Sequence, residues 1–299
     1  MQPVNATPAL LSPEKSTTGR LRPVPAPSWL RTGMQVASTL APGAAARLAR
    51  KLFFTPRRAR LRDEERAVLA RGELFSFEVA GQRVAGRAWG AGPALLLAHG
   101  WGGHAGQMTP LVDPLVAAGF RAVALDLPGH GESAGSVSSL VHFASALRRA
   151  GSLFGPVRGI AAHSFGAAGA AYAIASGLAV ERAVFFAPPL SFESFWLRFR
   201  TGVGVSPEVM DRMLREAEEW LEVRFDGIAP ADLAPRMTAP LFILHDPDDR
   251  EVPFEEGVEL ARRWPGALLR PAPGLGHLRI LRDESCVTAA AAFLAGGTV

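Results

Sequence analysis

Short unbroken apolar runs recur along this chain, and stretches with apolar residues every three or four positions lie between them. The runs at 94–98 (A-L-L-L-A), 121–127, 157–162, 180–186 and 241–245 are nearly continuous, which predicts strands buried on both faces. Residues 74–79 alternate instead, and 83–89 follow after Ala80-Gly81-Gln82, so a β-hairpin is expected there. Helical spacing covers 138–150, 165–176, 254–264 and 284–294. Residues 108–119 read as a helix broken by Pro110 and Pro114. A last strand is expected at 267–271. Strands alternating with helices predict an α/β domain, a mostly parallel sheet covered by helices on both faces. From 188 to 240 the strand pattern stops, while 191–200 and 207–223 keep helical periodicity. That interruption predicts a helical cap inserted at about 189–239.

The part before residue 73 is different. Residues 1–31 hold Pro3, Pro8, Pro13, Pro23, Pro25 and Pro27 and few large apolar side chains, which predicts a disordered tail. Residues 32–72 form a basic helical arm in this reading, and 73–299 the core domain. Within the arm, 42–54 place Ala46, Leu48, Ala49, Leu52 and Phe53 at helical spacing, with Arg47, Arg50 and Lys51 largely opposite. A short helix is expected at 62–71. Packing of the 42–54 helix on the core is the expectation, with docking on a membrane surface as the sharper alternative.

Charge follows the same division. Residues 1–72 carry 13 Lys and Arg against 4 Asp and Glu, whereas the remainder carries 19 against 24. The basic character therefore belongs to the arm, which could touch an anionic surface, although no nucleic-acid-binding motif is present. No apolar run reaches 18 residues, so a spanning helix is not expected, and prolines and polar residues break every candidate signal peptide. A cytoplasmic location is expected, with weak peripheral membrane contact through the arm as the variant. The single cysteine, Cys286, excludes an internal disulfide framework and reads as a buried, inert thiol. No spacing of histidines and carboxylates suggests a metal site, and no cofactor is expected.

The candidate chemistry centres on Ala162-His163-Ser164-Phe165-Gly166. An apolar strand ends, a serine sits among small residues, and an Ala-rich helix begins at once. Such a sharp strand–turn–helix lifts the serine hydroxyl above the sheet and tolerates only small neighbours. The segment resembles the nucleophile elbow of the α/β-hydrolase family, Gly-x-Ser-x-Gly, with Ala162 in place of the first glycine. The resemblance spans about residues 74–296. It also rests on His99-Gly100-Trp101-Gly102-Gly103, on Asp126-Leu127-Pro128-Gly129-His130-Gly131-Glu132-Ser133, on His245 to Val252-Pro253, and on Gly274-Leu275-Gly276-His277, all in the family's order.

The resemblance implies an α/β-hydrolase fold with a helical cap and a Ser-His-Asp triad. Ser164 is the expected nucleophile and His277 the base that activates it. Asp246, Asp248 and Asp249 all follow the 241–245 strand. Aligning His245 and Val252-Pro253 with the family's H-G-x-x-D-x-x-V-P loop selects Asp249 as the acid. The backbone N–H groups of Trp101 and Phe165 are the expected oxyanion donors. His163 is expected to point away from the serine, and His99 and His130 to brace loops. The cap aromatics Phe192, Phe195, Trp196, Phe199, Trp220 and Phe225 read first as packing and second as lining of an acyl or alcohol pocket. The activity implied is hydrolysis of a small acyl substrate, a carboxylic ester or thioester. Acyl transfer, perhydrolysis, C–C hydrolysis and a non-catalytic binding role are the alternatives.

Overall fold

The structure, a computed structural model, describes residues 23–297. The tail expected at 1–31 lies outside it up to residue 22, and its boundary at 31 needs correction. The Val24 N–H donates to the Arg198 carbonyl (3.1 Å), and helix α1 spans Ser28–Leu40. The prolines that suggest disorder stop at Pro27, which caps this helix, and proline is tolerated at a helix start. Met34 of α1 is 1% exposed. Helix α2, Pro42–Phe54, carries Pro42 in its first turn, and α3 spans Asp63–Ala70. At the start of α3, Glu65 accepts the Arg62 N–H (2.9 Å) and pairs with the Arg62 guanidinium (2.6 Å).

Strands β1 (Glu73–Val79) and β2 (Gln82–Trp89) form the expected hairpin. Its turn residues Ala80 and Gly81 both have positive φ, 47° and 72°, as a tight hairpin turn requires. Strand β3 (Ala94–Ala98) leads into a 3₁₀ turn, Ala105–Leu111, and helix α4, Val112–Ala117. Pro110, inside the 3₁₀ turn, has no N–H to donate, so no continuous helix forms over 108–119. There follow β4 (Arg121–Asp126), α5 (Leu140–Phe154), β5 (Val157–His163), α6 (Phe165–Ala175) and β6 (Arg182–Phe186). Helices α7 (Glu193–Val203), α8 (Pro207–Leu221) and the single turn α9 (Pro230–Leu233) lie between β6 and β7 (Leu241–His245). The chain closes with α10 (Phe254–Arg263), β8 (Leu268–Pro271), the short turn α11 (Gly276–Arg279) and α12 (Glu284–Leu294).

The eight strands lie in the order β1-β2-β4-β3-β5-β6-β7-β8. All pairings from β4 to β8 are parallel, and β2 joins β1 and β4 antiparallel. On fully buried β3, Leu95 and Leu97 face a core shared with α4 and α12. Leu96 and Ala98 face the core under α5, α6 and α10. Strand β3 connects to β4 on one side while β5 lies on the other, so the strand order reverses there. In open sheets of this kind a crevice forms beyond the strand C-termini at such a reversal. Ala98 pairs with Ala162, which places the two following loops side by side.

Cap and arm share a third core. Met34, Ala45, Ala46 and Ala49 from α1 and α2 pack with Phe199, Val203, Met210 and Met213 from α7 and α8. Among the described residues no helix is long and apolar enough to cross a membrane. Cys286 is buried, and burial first and Asp283 second push its thiol up to about 12.

Candidate active site

Ser164 sits at the apex between β5 and α6 with φ 51° and ψ −126°, a conformation that non-glycine residues rarely adopt. It is over-determined by its neighbours. Its N–H donates to the Phe186 carbonyl (2.9 Å), and its carbonyl accepts the Ala167 N–H (2.8 Å). A Cβ at Gly166 would lie 2.3 Å from the His99 carbonyl oxygen, so only glycine fits there. Ala162, where the family pattern has glycine, is fully buried within β5 opposite Ala98 and Phe185.

The three side chains expected to act together meet. His277 Nε2 lies 2.9 Å from the Ser164 hydroxyl, and His277 Nδ1 lies 2.7 Å from Asp249 Oδ2. Asp249 Oδ1 accepts the N–H groups of Glu251 (2.7 Å) and Val252 (3.1 Å), which turns Oδ2 toward the imidazole. Burial alone would raise the Asp249 carboxyl. Hydrogen bonds from His245 and His277, the His277 charge and the Glu251 amide outweigh it and hold the group well below the usual carboxylate range. Asp248 is exposed, and its side chain does not reach His277. Asp246 has a different job: its carboxylate accepts the N–H of Asp248 (2.8 Å) and the N–H of Gly276, tying the acid loop to the turn that carries His277. That turn is helical over Gly276–Arg279, with Gly274 and Gly276 at φ 78° and 64°.

The loop after β3 approaches the serine closely. A Cβ at Gly100 would stand 3.0 Å from Ser164 Cβ. The Gly100–Trp101 peptide is held by its carbonyl. His99 Nε2 accepts the Leu127 N–H (3.0 Å), so the His99 proton is on Nδ1, which donates to the Gly100 carbonyl (2.7 Å). The Gly103 N–H donates to the same oxygen (3.0 Å). In a trans peptide C=O and N–H point in opposite directions, so the Trp101 N–H is directed away from these partners. Among the described residues neither the Trp101 nor the Phe165 N–H has a hydrogen-bond partner. His130 Nε2 accepts the Gly102 N–H (2.9 Å), and its Nδ1–H donates to the Pro128 carbonyl (2.9 Å).

Sequence reasoning under-reads His163. Its ring does turn from the serine hydroxyl, but Nε2–H donates to the His277 carbonyl (2.8 Å) and the two rings lie 4.7 Å apart. Burial first, then the proximity of His277, pushes His163 down to about 3, and burial pushes His130 to about 4. Both stay neutral in the folded chain well below pH ~6.5, where an unfolded histidine takes its proton. Stability is therefore complete above pH ~6.5 and is lost as pH falls toward those folded-state values. Each should cost about 2 kcal/mol by pH ~5. Urea midpoints measured from about pH 7.5 to about pH 5 should fall accordingly, and a flat profile would contradict the neutral, buried assignment.

Beside Phe165 lies an apolar cavity of about 30 Å³ lined by Phe53, Phe54, Leu140, Phe192, Phe195, Trp196 and Phe225. It holds roughly one water molecule. Ser164 is 5% exposed and the His277 side chain 8%. Of the cap aromatics, Phe199 and Trp220 pack instead on the arm residues Phe53 and Phe54. A larger groove of about 530 Å³, between α1 and α7, is lined by Arg31, Gln35, Ser38 and Arg200 and includes none of Ser164, Asp249 or His277. Among the described residues no group of three or more His, Cys, Asp or Glu could hold a metal ion.

The order of strands, the turn at Ser164 and the loops that converge on it define a class, the hydrolases built on a central mostly parallel sheet. Residues 95–291 match the alpha/beta hydrolase family, and the chain belongs to that family. No curated protein matches the sequence. Solved structures share the fold at low identity. An esterase from Pyrococcus furiosus is 17% identical, with a TM-score of 0.60 over 82% of this chain and 100% of its own. Est1E from Butyrivibrio proteoclasticus, with ferulic acid bound, is 19% identical, with a TM-score of 0.59 over 74% and 98%. A proline iminopeptidase-related protein from Thermus thermophilus is 22% identical, with a TM-score of 0.56 over 75% and 98%.

Proposed function

We propose that this chain is a serine hydrolase that cleaves carboxylic esters or thioesters through an acyl-enzyme. The observation that carries this reading is the continuous relay from Ser164 Oγ to His277 Nε2 (2.9 Å) and from His277 Nδ1 to Asp249 (2.7 Å). His277 takes the hydroxyl proton as Ser164 attacks the acyl carbon, and the low-lying Asp249 carboxylate stabilises the imidazolium that forms. The N–H groups of Trp101 and Phe165 receive the negative oxygen of the tetrahedral intermediate. His277 then returns the proton to the leaving alcohol or thiol. In the second half-reaction it draws a proton from water as the water oxygen attacks the acyl carbon. The bond from that carbon to Oγ then breaks, the acid leaves and His277 returns the proton to Ser164. The aromatic cavity beside Phe165 supports an apolar group on the substrate.

The test pairs a fluorophosphonate probe with p-nitrophenyl esters of graded chain length. A single label on Ser164 and turnover that passes through a maximum with acyl length are expected. Labelling elsewhere, or no turnover of any ester or thioester by a labelled chain, would overturn the assignment.

A further inference from the structure

We propose that Arg58 and its neighbours at 57–60 are positioning residues for the oxyanion loop, so that the N-terminal arm takes part in catalysis. The inference rests on the hydrolase reading above. The chain between α2 and α3 crosses the loop after β3, which runs beside Ser164, and the loop after β4, and bonds to both. The Ala59 N–H donates to the Gly102 carbonyl (3.0 Å). The Arg58 guanidinium donates to three carbonyls of the other loop, those of Gly131 (2.7 Å), Ser133 (2.9 Å) and Gly135 (2.8 Å).

These two attachments converge on one residue. Gly102 directly follows Trp101, the proposed oxyanion donor. Its carbonyl is held by Ala59, and its N–H by His130 (2.9 Å), whose loop Arg58 closes. Gly102 has φ 74°, and a Cβ there would meet the Arg57 carbonyl at 3.0 Å. A glycine is the most permissive hinge a loop can contain. Clamping Gly102 from both sides therefore adds to the hold that His99 and Gly103 exert on the Gly100 carbonyl and helps fix the direction of the Trp101 N–H. The planar, five-donor fork of arginine suits a cluster of carbonyls that a single ammonium could not span.

The strap also sets the Arg60 carbonyl 3.4 Å from His104 Nε2. Residues 57–60 are themselves exposed. The opening of the strap is pinned by Ser138, whose N–H donates to the Phe54 carbonyl (2.8 Å). A strap that merely covered surface would alter melting temperature or the fraction of folded enzyme. One that aims a donor would alter the chemical step in correctly folded molecules.

The experiment compares the full-length chain with Arg58→Ala and Arg58→Lys. Fluorophosphonate titration counts reactive sites, and kcat and KM on an activated ester are then expressed per site. Misplacing a transition-state donor costs up to about a hundredfold. Arg58→Ala should keep one reactive site per chain while kcat and the labelling rate both fall about tenfold to hundredfold, with KM nearly unchanged. Arg58→Lys should recover part of the loss. Wild-type kcat per site in Arg58→Ala, or a loss carried wholly by KM or by fewer reactive sites, would overturn the positioning role. A wild-type chain that takes no label would instead overturn the hydrolase reading.

Discussion

Ser164→Ala should lower turnover about a millionfold, the loss measured when a triad serine is removed from a comparable hydrolase. The hydroxyl is the only part of the residue that reaches His277, at 2.9 Å. The bonds that hold the turn belong to the backbone and survive the change: the N–H to Phe186 and the carbonyl to Ala167. The melting temperature of Ser164→Ala should therefore stay close to wild type. Ser164→Gly provides the matched control. At φ 51° a side chain costs on the order of 1–3 kcal/mol, and glycine relieves much of it. The glycine variant should be as inactive as the alanine variant and more stable than both other forms. Ester turnover and thermal melting of the three proteins measure this, and more than about one per cent of wild-type activity in Ser164→Ala would place the nucleophile elsewhere.

The second large effect is Asp249→Asn, expected to cost about ten-thousandfold in turnover. The structure gives the reason. Oδ1 of Asp249 accepts two backbone N–H groups, from Glu251 and Val252. An asparagine would keep its carbonyl oxygen there, which directs its NH₂ at His277 Nδ1. The imidazole proton would then move to Nε2, the atom facing Ser164, which could no longer accept the hydroxyl proton. Asp248→Asn should leave turnover near wild type, because that side chain points to solvent. Asp246→Ala should fall between them, since it frees Gly276 beside His277 without touching the imidazole. Turnover of all three variants on one activated ester, with circular dichroism as the folding control, ranks them. A dead Asp248→Asn with an active Asp249→Asn would reverse the assignment.

The parts of this molecule legible in the sequence are those whose signals are local. A five-residue apolar run such as 94–98 announces a buried strand, and Ala-His-Ser-Phe-Gly between a strand and a helix announces a strained turn. Sequence selects the acid among three nearby aspartates only by alignment with a family loop. The remaining two separate only in three dimensions, where Asp246 finds the Gly276 amide 30 positions away. The partner of His163 escapes for the same reason, because it is a carbonyl 114 residues later. The start of α1 escapes because Pro23, Pro25 and Pro27 look like disorder, whereas the helix is secured by burying Met34 against the cap. Arg58 reads as one more charge in a basic segment. Nothing in its neighbours signals that its fork meets three carbonyls more than 70 residues downstream.

The shared core of arm and cap also sets an order of events during synthesis. The apolar faces of α1 and α2 leave the ribosome before the residues that cover them, Phe199 to Met213, which follow some 150 positions later. Chains dominated by such distant pairings close costly loops before they gain contacts, and they fold slowly. Until the cap is made, the first helices expose unsatisfied apolar surface, the condition under which nascent chains recruit chaperones or aggregate. The arm is thus made well before the cap that locks it in place.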